Sequence, residues 1–156
     1  MKDALNQPLQ GIGPRLSAET LHASTVAIGG RAMLITGPSG AGKSDLALRL
    51  LDRGFTLVSD DQTIVSRHGD RLIASAPPTI AGKLEVRGIG ILEMERVDDI
   101  PIALVVELTS DIRRIPDDAR ERLILGLSLP LVSIDARMAS APSKAALALD
   151  RLGLRF

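Results

Sequence analysis

Eight residues constrain this chain more than any others. Gly37-Pro38-Ser39-Gly40-Ala41-Gly42-Lys43-Ser44 fits G-x-x-x-x-G-K-[S/T] at every position. Glycine reaches backbone angles closed to other residues, so such a loop can turn its N–H groups inward around an anion. A helix starting at the end of the loop adds a dipole that favours negative charge. In that frame Lys43 reaches the β- and γ-phosphates of a nucleotide, and the Ser44 hydroxyl ligates Mg²⁺. The competing explanation is a chance match in a turn, with a probability of about half a percent at average residue usage in a chain of this length. The flanks also agree. An apolar run at residues 32–36 precedes the loop, and Leu46, Ala47, Leu50 and Leu51 share one face of a helix running to about Arg53. Gly54 stands where a C-terminal glycine cap belongs.

Composition sharpens the assignment. The 156 residues carry 19 basic and 19 acidic side chains, and the basic ones are 15 Arg against four Lys. A lysine is scarce here, and Lys43 stands where a point charge on phosphate is wanted. Net neutrality and only two aromatic residues, Phe55 and Phe156, argue against nucleic-acid binding. The absence of Cys excludes disulfides, thiolate catalysis and cysteine-ligated metal. His22 and His68 are too few for a multi-histidine zinc site. No apolar run approaches a membrane span and residues 1–20 lack an apolar signal core, so the expectation is a cytoplasmic protein with no membrane partner.

Along the chain, residues 1–19 read as an irregular leader and residues 20–156 as a single domain. Residues 25–28 and 32–36 flank Gly29-Gly30, a two-residue hairpin signal. A second hairpin is expected from residues 63–67 and 71–75 around His68-Gly69-Asp70, with His68 assigned no role. Residues 102–108 read as a buried strand and residues 131–134 as a weaker one. Residues 110–122 read as a polar loop or short helix in which Arg113 and Arg114 are solvated. Ser140 or Ser143 caps a final helix to about Leu152, ended by Gly153. Hairpins at both ends of a strand–loop–helix unit predict an α/β fold with a mixed sheet.

The phosphate loop alone leaves several nucleotide-handling classes open. A guanine-reading N-K-x-D motif is excluded, because the only asparagine, Asn6, precedes the loop. Asp60-Asp61 follows Leu57-Val58, where the Mg²⁺-side carboxylate of such proteins lies. In extended chain the two side chains point to opposite faces, so one can meet metal or substrate while the other supports it. The plain alternative is a solvated acidic turn.

Leu84-Glu85-Val86-Arg87-Gly88-Ile89-Gly90-Ile91, read alone, is an edge strand with two glycine bulges. In order with Leu21-His22, the GPSGAGKS loop, LVSDD and Ala76-Pro77-Pro78, it resembles the signature segment of the HPr kinase/phosphorylase family, closely over residues 21–92 and loosely beyond. The resemblance implies a P-loop kinase domain of the HPr kinase/PEP carboxykinase-like kind, with a mixed central sheet flanked by helices. It implies ATP and Mg²⁺ as cofactors and transfer of phosphate to a serine of HPr, the small phosphocarrier of the phosphotransferase system. Typical members also run the reverse phosphorolysis. By this resemblance Gly37 to Ser44 hold the nucleotide, Ser44 and Glu85 are the Mg²⁺ pair, and Asp61 with Asp60 beside it is the catalytic aspartate. His22 orients or tunes that aspartate, Arg87 neutralises the transferred phosphoryl group, and Arg122 is the catalytic loop arginine.

The chain departs from the pattern in places. Fewer than two dozen residues precede His22, so the family's N-terminal domain is expected to be absent. This resembles the short kinases found beside nitrogen-type phosphotransferase components in some α-proteobacteria, which makes a nitrogen-type HPr-like protein an alternative substrate. Asp45 replaces the usual Glu, and Ala23 the usual Gly. The C-terminal region, tied in the family to phosphorolysis and hexamer contacts, reduces to residues 129–137 and a short helix. Phosphorolysis and a homo-oligomer therefore stay open. So do a regulatory nucleotide-binding module without catalysis and a small-molecule kinase on the same loop.

Overall fold

The computed structural model describes residues 17–112 and 120–156. Most of the expected leader, together with Arg113 and Arg114, lies outside the described residues. The frame is a nine-stranded mixed sheet. Its centre is β3 (Arg31–Thr36) beside β9 (Ile100–Leu108), parallel and in register from Met33 opposite Leu104 to Thr36 opposite Glu107. Both strands are buried along most of their length, which is why they read as continuous apolar runs rather than alternating ones. On one side of β3 comes β2 (Ala23–Ile28), antiparallel to it, and then β4 (Thr56–Ser59), antiparallel to β2. Beyond β9 lie β6 (Arg71–Ser75), β5 (Thr63–His68) and β1 (Ala18–Leu21).

The expected hairpins form. Gly29 and Gly30 both take positive φ, 61° and 77°, as a tight two-residue turn between right-twisted strands requires. Two strands reach beyond the segments expected for them. β1 begins at Ala18, inside the segment read as leader, and β10 (Arg120–Ile124) occupies the end of the stretch read as loop or helix. β10 pairs antiparallel with β11 (Leu127–Ile134), which runs parallel to the second half of β9. The segment read as an edge strand with bulges is a separate hairpin of β7 (Lys83–Val86) and β8 (Gly90–Glu93).

Two helices, α1 (Lys43–Leu51) and α2 (Ala141–Leu152), pack on one face of the sheet. Leu46, Ala47 and Leu50 of α1 and Ala145 and Leu149 of α2 join Met33, Ile35, Leu104 and Val106 in one core. The alternate strand residues, Leu34, Val58, Val65, Leu72 and Val105, form a second core with Ile124 and Leu129. On that second face β5, β6, β10 and β11 do the covering, so the sheet curls over itself. Arg49 fixes α1 to the chain after β11, donating to the carbonyls of Ala136 at 2.7 Å and Met138 at 2.8 Å. No helix among the described residues is long and apolar enough to cross a membrane.

Candidate active site

The phosphate loop leaves the C-terminal end of β3, the central strand, and enters α1 at Lys43. Gly37 has φ 154°, and a Cβ there would lie 3.1 Å from that of Leu108. Gly42, at φ 99°, is the N-cap of α1. Substitution at either position therefore meets backbone strain, as the motif demands. The Ala41 N–H donates to the Pro38 carbonyl at 3.0 Å, closing the loop on itself. Lys43 is nearly buried, and its ammonium donates to the carbonyls of Gly37 at 2.8 Å and Pro38 at 3.1 Å. Those are loop acceptors that phosphate oxygens can replace.

Asp60 and Asp61 follow β4 and diverge. The divergence comes from a turn and not from strand pleating, because β4 ends at Ser59 and Asp61 takes the left-handed φ of 68°. Asp is one of the few non-glycine residues that tolerate that region. Asp60 is buried. Its Oδ1 accepts from the hydroxyls of Ser24 at 2.7 Å and Ser44 at 2.6 Å, and its Oδ2 from the Glu85 N–H at 3.1 Å. Asp61 instead faces solvent, with its Oδ1 3.4 Å from His22 Nε2. His22 sits at the bend between β1 and β2. Its side chain is 52% exposed and that of Asp61 62%, so the contact adds little stability.

In β7, Leu84 and Val86 enter the core while Glu85 points the other way. His22, Lys43, Ser44, Asp61, Glu85 and Arg87 line one cavity of about 470 Å³, together with Ser39, Gly40, Gly42 and, unforeseen, Asp45 and Leu48. Gly37, Pro38 and Ala41 shape the loop behind it. Asp60 stands behind the wall as a hub of hydrogen bonds. Arg122 is not among the lining residues. It lies on β10 opposite Leu129, half-buried. Ser24 is the participant that the sequence did not single out.

A family model described as HPr Serine kinase C-terminal domain matches residues 15–145. The chain belongs to this family. The matched span contains every residue that lines the cavity. Among curated relatives, the HPr kinase/phosphorylase of Prosthecochloris aestuarii is 33% identical over 129 residues, 74% of this chain and 38% of that protein. That of Limosilactobacillus reuteri is 34% identical over 142 residues, 83% of this chain and 43% of that protein. That of Clostridium botulinum is 42% identical over 87 residues, 55% of this chain and 29% of that protein. The chain thus spans less than half the length of these curated relatives. A solved structure described as the Hpr(Ser) kinase/phosphatase from Coxiella burnetii matches with a TM-score of 0.74 and 28% identity, covering 85% of this chain and 89% of that one.

Proposed function

We propose that this chain is an ATP- and Mg²⁺-dependent protein-serine kinase acting on HPr or a nitrogen-type HPr-like phosphocarrier, with residues 20–156 as one kinase domain in the cytoplasm. One observation carries the reading: the phosphate loop, an exposed aspartate with a histidine at 3.4 Å, and Arg87 line a single cavity. A nucleotide sensor needs the loop alone. An accessible carboxylate beside it suits a group that takes a proton from an attacking hydroxyl.

In this reading the loop N–H groups and Lys43 bind the β- and γ-phosphates, Lys43 exchanging its carbonyl partners for phosphate oxygens. The acceptor serine oxygen attacks the γ-phosphorus in line. The bond to the β-phosphate oxygen breaks, ADP leaves, and Asp61 receives the serine proton. His22 fixes the direction of the Asp61 carboxylate, and Arg87 meets the charge on the moving phosphoryl group. Such transfers rest mainly on positioning and electrostatics.

Mg²⁺ is held by one or two protein oxygens together with water and phosphate rather than by an all-protein cage. The residues fit that demand: among the described residues no cluster of three or more metal-binding side chains occurs. Ser44 and Glu85 both line the cavity, and their hydroxyl and carboxylate would hold the ion. When bound, Mg²⁺ neutralises charge on the β- and γ-oxygens.

The test is incubation with labelled ATP, Mg²⁺ and the HPr-like protein of the same genome. Label on a serine of the acceptor is expected. Nucleotide binding without label would overturn the kinase reading and leave a regulatory module.

A further inference from the structure

Ser24, the second residue of β2, is fully buried, yet its hydroxyl touches both aspartates. It donates to Asp60 Oδ1 at 2.7 Å and accepts from the Asp61 backbone N–H at 3.1 Å. A hydroxyl has one proton and two lone pairs, so it can hold both partners at once. We propose that Ser24 is a positioning residue for phosphoryl transfer, whose single hydroxyl keeps Asp60 turned toward the phosphate loop and Asp61 turned toward the substrate. This rests on the kinase reading above.

Three features support the assignment. Asp61 holds a left-handed φ, which Asp tolerates but does not prefer to the right-handed region, and Ser24 binds the N–H of that very residue. The Ser44 hydroxyl shares Asp60 Oδ1 with Ser24, at 2.6 Å. When the Ser44 hydroxyl turns to a metal ion, Ser24 is the donor that still holds that oxygen. An unbroken chain of contacts therefore runs from Ser44 in the phosphate loop through Asp60 and Ser24 to the backbone of Asp61. The next residue gives the contrast. Thr25 bonds Thr63 at 2.8 Å, and Thr63 bonds the Ala23 carbonyl at 2.9 Å. That pair is equally buried, ties β2 to β5, and has neither aspartate among its partners.

The experiment is steady-state transfer from labelled ATP to the HPr-like protein, run on the full chain with Ser24→Ala, Ser24→Thr, Ser24→Val and Thr25→Val. Ser24→Ala is expected to lose roughly 10- to 100-fold in kcat while the KM for ATP stays within about twofold. Thr25→Val should lower the melting temperature and leave kcat at the wild-type value. Ser24→Thr and Ser24→Val have equal size and differ in the hydroxyl, so the threonine variant should outpace the valine one even if Ser24→Ala melts below the assay temperature. Equal rates in that pair, or wild-type kcat in folded Ser24→Ala, overturn the inference while wild-type transfer leaves the kinase reading standing. A wild-type chain that transfers nothing removes both.

Discussion

The phosphate loop and the acidic corner face each other across one cavity, yet they are held in different ways. The loop is secured from within: Ala41 bonds Pro38, Lys43 bonds Gly37 and Pro38, and glycines at positive φ supply the bends. The corner is secured from afar. Ser24 of β2, Ser44 of α1 and Glu85 of β7 converge on Asp60, across separations of 36, 16 and 25 residues. A local motif keeps its shape as long as its own backbone does. A corner assembled from separate elements keeps its shape only while the sheet holds them together. The two regions should therefore fail separately, nucleotide binding with the loop and transfer with the corner.

The largest effect expected at the loop is from Lys43→Ala. Removing the ammonium should cut transfer by about 10²- to 10³-fold and weaken nucleotide binding as well, read by calorimetric titration beside the transfer assay. Retained nucleotide affinity in this variant would erase the distinction between the regions. The next effect is on stability. Asp60→Ala leaves three donors without their acceptor and should lower unfolding free energy by about 1–3 kcal/mol, measured by urea denaturation. A neutral result would mean that the corner is not knit together by Asp60.

The smallest effect lies just outside both regions. The Arg137 side chain, helped by the Arg137 backbone N–H, holds the Asp135 carboxyl down to about 2. A carboxyl lowered by folding stabilises the protein above its ordinary value of 3.8, and that contribution fades as pH falls toward about 2. Asp135→Asn should therefore melt slightly lower than wild type at pH 6, with the difference closing between pH 3.8 and about 2. A difference that persists at pH 2 would assign it to packing instead.

What could be read in the sequence follows the same division. The loop, α1, the hairpin of β5 and β6, and the buried run of β9 announce themselves because their signals are local: glycine spacing, helical period and continuous apolar residues. β10 and the first half of β11 were obscured by their turn, Leu125-Gly126, where a leucine takes φ 50° in place of the asparagine or glycine that marks such turns. The glycines of the signature segment looked like bulges. Gly88, at φ 88°, instead lies in the turn that folds β7 back onto β8. The resemblance brought His22, Asp61, Glu85 and Arg87 forward, and all four line the cavity. Ser24 carried no signal, since a serine in an apolar strand shows its purpose only when the aspartates, distant in sequence, are folded against it.

On the proposed kinase reading, the loop binds nucleotide and the corner transfers phosphate, so the two can be separated. Asp61→Asn tests it most directly, because Asp61 lines the cavity while loop closure depends on other residues. Titration of this variant with a non-hydrolysable ATP analogue, beside the transfer assay, should give nucleotide affinity within about threefold of wild type and transfer reduced by about 10²- to 10⁴-fold. Affinity and transfer falling together, or transfer surviving the substitution, would show that the loop and the corner do not act separately.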